Sequence, residues 1–104
     1  MDIQAYEDFL HSIDLMTIDK MIFLNDIENE RNFEAVKSAI DEAKEIGSFG
    51  ERRIALENLL DNLSEIGLFL SVEQIHLADK AFGDHKSKNG QILMAYYQEH
   101  LIIL

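Results

Sequence analysis

The sequence predicts an all-α protein, a single-domain antiparallel helical bundle of five to six helices over residues 1–104. Apolar residues recur at i, i+3, i+4 and i+7 in several windows, which is the spacing of one helical face. The chain contains no proline, and its five glycines lie between the periodic windows, as helix ends would. A length of 104 residues and a hydrophobic content of 47% are typical of one domain with its own core.

The clearest helix is the stretch 54–67, around which we expect the other elements to pack. One face is apolar: Leu56, Leu59, Leu60, Leu63 and Ile66. The opposite side is polar: Glu57, Asn58, Asp61, Asn62 and Glu65. Gly67 follows the last periodic residue, where a glycine ends a helix in the left-handed conformation without steric strain.

Two helices are predicted at the start of the chain. The first covers 2–13 and turns one apolar face inward: Ile3, Tyr6, Phe9, Leu10 and Ile13. The second covers 18–30, with Asp14 or Thr17 as its N-cap. The apolar run 21–24 also fits a short buried strand, but we favour a helix because the sequence offers no partner strand.

A third helix is predicted over 33–46, between an N-cap at Asn32 and a stop at Gly47. Its inward face is apolar: Phe33, Val36, Ala39, Ile40, Ala43 and Ile46. Its outer face carries Glu34, Ser38, Asp41 and Glu45. In the loop that follows, we expect Phe49 to pack back onto the core.

The helix after the central one has a capping box. Ser71 and Gln74 have the spacing in which a hydroxyl and an amide satisfy each other's backbone donors. The helix runs from Val72 to a stop at Gly83. Its predicted inward residues are Val72, Ile75, Ala78 and Phe82.

The last predicted helix begins at Gln91, after a polar loop over 84–90. Its apolar residues are Ile92, Leu93, Tyr96, Tyr97 and Leu101. The segment 101–104 is entirely apolar, so we expect it to pack against the body or to form a subunit contact.

The net charge is −11, from 20 acidic and 9 basic residues. Such a charge repels phosphate backbones and anionic lipid, which argues against nucleic acid and membranes as partners, and it attracts a basic protein. Solubility alone is the alternative explanation. We expect a cytoplasmic protein, because there is no signal peptide, no long apolar run and no cysteine.

Two acidic surfaces are the candidate partner-binding sites. One consists of Glu34, Asp41 and Glu45, preceded by Asp26, Glu28 and Glu30. The other is the polar side of the central helix, Glu57, Asn58, Asp61, Asn62 and Glu65. Its carboxylates stand at i, i+4 and i+8 and repel one another by a few tenths of a kcal/mol per pair, with no basic residue between them. A plain solvated face is the competing interpretation.

Metal and catalytic motifs are incomplete. The alternating acids 26–30 resemble a calcium loop, but Arg31 and Lys37 stand where that loop requires glycine and glutamate. Glu73 and His76 have the Glu-x-x-His spacing of a di-iron bundle, which requires a second such motif that the chain lacks. No serine lies in a nucleophile elbow. We therefore expect no enzymatic activity, no metal and no cofactor.

Residues 50–82 resemble the core of small helical immunity proteins of bacterial polymorphic toxin and contact-dependent inhibition systems, including the Maf-type and colicin D-type immunity proteins. The resemblance rests on the Gly50-Glu51 entry, the Ala-Leu-Glu-Asn-Leu-Leu-Asp-Asn-Leu helix over 55–63, an apolar residue before Ser71, and the Ser-x-Glu start of the next helix. The N-terminal half of the chain shows no such resemblance.

The resemblance implies a small, cytosolic, non-enzymatic protein that binds a cognate toxin, often a basic nuclease acting on tRNA, and blocks its active site. Carried over by position, the first contact candidates are the polar residues of the central helix, Glu57 to Glu65. Two alternatives remain: a helical interaction or regulatory domain, for which 101–104 is the candidate dimer contact, and a metal-dependent bundle enzyme using Glu73 and His76. The oligomeric state stays open.

Overall fold

The computed structural model describes residues 1–18, 27–84 and 86–101, and within these ranges it contains five α-helices and no β-strand. The helices are α1 (Ile3–Ile18), α2 (Ile27–Ser48), α3 (Arg52–Ile66), α4 (Val72–Phe82) and α5 (Lys88–Glu99). The predicted all-α class is therefore confirmed for the described residues. The alternative strand over 21–24 lies outside them.

The N-terminus of α1 is fixed by Asp2. Its carboxylate accepts a hydrogen bond from the Ala5 amide at 3.0 Å, which satisfies one of the free amides of the first turn. The Asp2 amide donates to the Ala81 carbonyl at 3.1 Å. The beginning of α1 is thereby joined to the end of α4.

The predicted end of the first helix at residue 13 is wrong, because α1 continues to Ile18. Asp14 and Thr17 are both helical residues of α1, so neither holds the N-cap position of a second helix. The predicted helix over 18–30 falls largely on residues 19–26, which lie outside the described residues. The stretch 14–18 contains neither glycine nor proline, so nothing in it ends a helix. The Asp14 carboxylate instead receives the Lys44 ammonium of α2 at 3.0 Å.

The helix α2 is continuous from Ile27 to Ser48, so the predicted N-cap at Asn32 is wrong. Gly47 also fails as a stop, since it is helical and the chain turns only at Gly50, with φ +86°. A Cβ on Gly47 would stand 2.8 Å from the Tyr6 hydroxyl oxygen. This glycine therefore permits close packing of α1 against α2.

The central helix α3 confirms the clearest prediction from the sequence. Its buried residues are Ala55, Leu56, Leu59, Leu60 and Leu63, none of which has measurable exposure. Burial of one such leucine contributes about 2 kcal/mol. Gly67 is left-handed at φ 85°, its amide bonds to the Ser64 carbonyl, and the Leu68 amide bonds to the Leu63 carbonyl. These two bonds form a Schellman motif.

The predicted capping box of α4 is confirmed. The Ser71 hydroxyl accepts from the Gln74 amide at 3.2 Å, and the Gln74 side-chain oxygen accepts from the Ser71 amide at 3.0 Å. The Gln74 side-chain nitrogen lies 3.4 Å from the Ser12 hydroxyl of α1. Gly83 ends the helix at φ 82°. Val72, predicted to face inward, is 59% exposed.

The helix α5 begins at Lys88, so the prediction of a loop up to residue 90 is wrong. The Ser87 hydroxyl accepts from the Gly90 amide at 3.0 Å and caps the first turn. A serine N-cap supports a helix start more strongly than the following glycine weakens it. The prediction that 101–104 packs against the body or forms a subunit contact falls largely on residues that the structure does not describe, and Leu101 itself is 44% exposed.

The helices pack in a ring, in the order α1, α2, α3, α5, α4 and back to α1. One contiguous apolar cluster fills the interior. Besides Val72, two residues predicted to face this core do not reach it: Phe49 is 79% exposed in the α2–α3 loop, and Ile3 is 49% exposed at the start of α1. Loop and end positions have too few packed neighbours to bury a large side chain.

Candidate functional site

A shallow groove of about 280 Å³ runs between α2 and α3. We call it the α2–α3 groove. Its small and apolar lining residues are Ala35, Ala39 and Ile66. Its polar lining residues are Ser38, Glu42, Asn62 and Glu65. The groove exists because small side chains on α2 leave space beside α3.

The groove brings two polar residues of the central helix beside two polar residues of α2. From α3 it takes Asn62, which is half-buried, and Glu65, which is exposed. From α2 it takes Ser38 and Glu42, both exposed. The hairpin of α2 and α3 thus places Asn62 and Glu65, two of the predicted binding residues of α3, beside α2.

The predicted α2 residues Glu34, Asp41 and Glu45 are all exposed, but none of them lines the groove. Ser38 is four residues from Glu34 and three from Asp41, so these carboxylates neighbour the groove wall on the helix surface. Glu45 is three residues from Glu42, so its carboxylate also neighbours the groove wall. Asp26 and the side chains of Glu28 and Glu30 lie outside the described residues.

Glu42 is the charged groove residue that the helical pattern alone does not reveal. It was not assigned to the outer face of α2, because the acids at 34, 41 and 45 define a face that excludes it. Its proximity to Glu65 follows from how α2 packs on α3, a relation that the helical period does not contain. Only an estimate of the helix pairing would have found it.

Glu57 has partners within the chain. It is half-buried, and its carboxylate accepts a hydrogen bond from the Ser87 hydroxyl, which caps α5. A carboxylate there is also favoured by the partial positive charge of a helix N-terminus. Asn58, the next candidate, has a buried side-chain nitrogen with no partner among the described residues. The freely exposed acids of α3 are therefore Asp61 and Glu65.

Among the described residues, none that lines the α2–α3 groove is basic. The ion pairs that lie wholly within the described residues are Lys44 with Asp14 and Lys86 with Asp79, at 3.0 and 2.8 Å. Neither pair neutralises Glu42 or Glu65. The groove thus holds two carboxylates from different helices with no internal counter-charge, an arrangement that a cation would stabilise.

A second cleft, of about 380 Å³, has a different character. It lies where the start of α3 meets the end of α4, and Arg52 and Arg53 line it beside Phe82. Glu51 and Asp84 line it as well, so its charges are mixed. The sequence analysis did not identify this cleft, because its two walls are about thirty residues apart along the chain.

Aromatic rings cluster at the end of α5. The Phe69 ring stacks on the His100 ring with centroids 5.3 Å apart and 12° between their planes. Tyr96 lies 4.5 Å from the same imidazole and meets Tyr97 edge to face at 5.3 Å. The His100 Nδ1 is 2.8 Å from the Tyr96 carbonyl. Phe69 and Tyr96 are half-buried and His100 is exposed, so the cluster reaches the surface.

The half-motif Glu73 and His76 lies on the exposed side of α4. In the parts of the chain that the structure describes, no three histidine or acidic side chains are grouped closely enough to hold a metal ion. Over the same residues, no helix combines the length and hydropathy that a membrane crossing requires.

Comparison with protein-family models, with curated proteins and with solved structures found no match to this chain. A helical fold by itself is compatible with many functions, so the chemistry of the surface is the guide to the function of this chain.

Proposed function

We propose that this chain is an immunity protein that binds a cognate bacterial toxin, a basic nuclease or tRNase domain, and covers its active site. In this proposal the chain is cytoplasmic and folds as one antiparallel helical bundle. The observation that carries it is the hairpin of α2 and α3, whose exposed carboxylates form no ion pair with another described residue. They are Glu34, Asp41, Glu42, Glu45, Asp61 and Glu65.

Electrostatics supports this choice of partner. A nuclease active site is shaped to receive phosphates, so it presents basic side chains. Carboxylates on a rigid hairpin can occupy the same positions as the phosphates. The net charge of −11 also steers a basic partner toward the surface and raises its association rate.

The size of the chain is sufficient for such a complex. A stable interface buries roughly 800 Å² on each partner. The accessible surface here is 6509 Å², so an interface of that size uses about an eighth of it. The resemblance to immunity proteins covers α3 and α4, and α3 is one wall of the groove.

Charge reversal on the hairpin tests the proposal. The proposal predicts a toxin domain in the neighbouring open reading frame. Asp61→Lys with Glu65→Lys, and separately Asp41→Lys with Glu45→Lys, are expected to abolish protection of cells that express that domain. The matched control is Glu7→Lys with Asp8→Lys, which makes the same charge change at two exposed positions of α1. Helical circular dichroism verifies that each variant is folded. Full protection by both hairpin variants contradicts the acidic-surface proposal.

A homodimeric interaction domain is the second candidate, and the end of α5 favours it. The aromatic cluster of Phe69, Tyr96 and His100 reaches the surface there, and Leu101 is 44% exposed. Interfaces are enriched in such aromatic side chains. Sedimentation equilibrium distinguishes the candidates: a dimer that Tyr96→Ala dissociates supports this one, whereas a monomer supports the immunity protein.

A further inference from the structure

We infer that the α2–α3 groove is a receptor for a single arginine side chain of a bound protein. The identification of that protein as a toxin depends on the proposed function, but the chemistry of the groove does not. Three properties lead to arginine: the small and apolar floor, the two carboxylates that line the groove from different helices, and the absence of a basic residue among its described lining residues.

The floor fits the aliphatic part of an arginine. Ala35 and Ala39 contribute only methyl groups on the α2 side, and Ile66 contributes an apolar surface from α3. Long basic side chains characteristically lay their methylene stems along apolar surface while the charged end remains among polar groups. A hydrated metal ion makes no use of such a floor.

The walls fit the charged end. Glu42 and Glu65 come from different helices, and neither has a hydrogen bond or ion pair with another described residue. A guanidinium has five N–H donors in one plane, so it can bond to two carboxylates at once. The Ser38 hydroxyl and the Asn62 amide oxygen supply further acceptors in the same groove. Lysine offers a point charge without this planar geometry.

The inference is tested on the isolated chain with blocked pentapeptides that carry one central arginine, lysine or citrulline between glycines. Titration of the ¹⁵N-labelled protein is followed by amide chemical shifts. The arginine peptide is expected to shift amides around the groove, with the lysine peptide weaker and the uncharged citrulline peptide weakest. Equal binding of the citrulline peptide, shifts spread over the whole surface, or no shift at the groove overturns the inference.

Paired variants separate the groove from general charge. Glu42→Gln with Glu65→Gln is expected to weaken the arginine peptide by about tenfold, because two exposed ion pairs of a few-fold each are lost. The control Glu7→Gln with Asp8→Asn changes the net charge equally on α1 and is expected to stay within about twofold. An equal loss in both variants means that the groove has no specific role.

The same variants distinguish failure of this inference from failure of the proposed function. The arginine peptide could bind the groove while the chain gives no protection against the toxin domain. That result supports the arginine-receptor inference and contradicts the proposed immunity function. If protection by Glu42→Gln with Glu65→Gln equals that of the unaltered chain, the groove is not used and the immunity function stands on other residues.

Discussion

The Tyr97 hydroxyl of α5 donates a hydrogen bond to the Leu60 carbonyl of α3 across 2.5 Å, and both residues are fully buried. They are 37 positions apart in the chain. The bond fixes the register of α5 against the central helix, and it satisfies a phenol that would otherwise be buried without a partner.

Replacement Tyr97→Phe removes this bond and retains the ring. We expect the free energy of unfolding to fall by about 1 kcal/mol, because the Leu60 carbonyl keeps its helical partner. Urea unfolding followed by circular dichroism measures the change. Tyr96→Phe, at the half-buried neighbour, is the control and is expected to change stability less. A larger loss in the control contradicts this role for Tyr97.

Alkaline pH is expected to destabilise the chain through Tyr97. Burial raises the pKa of this phenol well above its ordinary value of about 10, and the nearby Tyr96 and Asp61 raise the pKa further. Above pH 10 the unfolded chain releases this proton while the folded chain keeps it, so stability is full below pH 10 and falls as pH rises.

The fall attributable to one such group is at most about 1.4 kcal/mol per pH unit. Urea unfolding at pH 9 to 11.5 is expected to give a shallower decline for Tyr97→Phe than for the unaltered chain. Burial also raises the pKa of Tyr6, so Tyr6→Phe with Tyr97→Phe is expected to be shallower still. Identical declines in all three proteins contradict the assignment.

Gly47 packs closely against Tyr6. We therefore expect Gly47→Ala to destabilise the unaltered chain but to stabilise a chain that carries Tyr6→Phe. Gly47→Ala alone improves helix propensity by about 1 kcal/mol. It also places a methyl group 2.8 Å from the phenol oxygen, and this overlap costs more than the propensity gains. We therefore expect the free energy of unfolding to fall by about 1 kcal/mol. After Tyr6→Phe the nearest ring atom is at 3.7 Å, an ordinary contact. In that background Gly47→Ala is expected to stabilise the chain.

The Tyr6 hydroxyl is itself buried without a partner among the described residues. Tyr6→Phe alone is therefore expected to be neutral or slightly stabilising, since it removes an unsatisfied polar group. Thermal or urea unfolding of the four proteins gives the coupling energy. Additive changes, with no reversal of sign, contradict the steric interpretation of Gly47.

Ser87 caps α5 and also bonds to Glu57, so its replacement is expected to weaken the first turn of α5. Ser87→Ala removes the N-cap and is expected to lower the free energy of unfolding by about 1 kcal/mol. Hydrogen exchange of the first-turn amides of α5, including Gly90, is expected to accelerate. Ser48→Ala, whose hydroxyl donates to the Glu45 carbonyl of its own helix α2, is the control and is expected to leave α5 exchange unchanged.

Association with a basic toxin is expected to depend on salt, if the proposed function is correct. Steering by net charge is screened beyond about 10 Å at 0.1 M salt. Stopped-flow association rates are expected to fall as salt rises, and to fall less steeply for Asp61→Lys with Glu65→Lys. Rates that do not change with salt contradict electrostatic steering of the complex.

Helices whose limits are encoded by neighbouring residues were predicted well. The leucines of α3, its end at Gly67 and the capping box of Ser71 and Gln74 all depend on contacts within one or two turns. The predicted helix start at Asn32 is wrong, because an asparagine can cap a helix or lie within one. The serine that does cap α5, Ser87, was passed over in favour of the later start at Gln91.

Some features of the candidate site follow from the sequence, and others follow only from helix packing. The sequence by itself determined that α2 and α3 each carry an exposed acidic side, because the helical period fixes which residues share a face. Only the tertiary structure decided that Glu65 shares a groove with Glu42, that Glu57 is engaged by Ser87, and that Gly47 makes room for Tyr6. These relations depend on how one helix packs against another, and the period of a single helix carries no information about its partner.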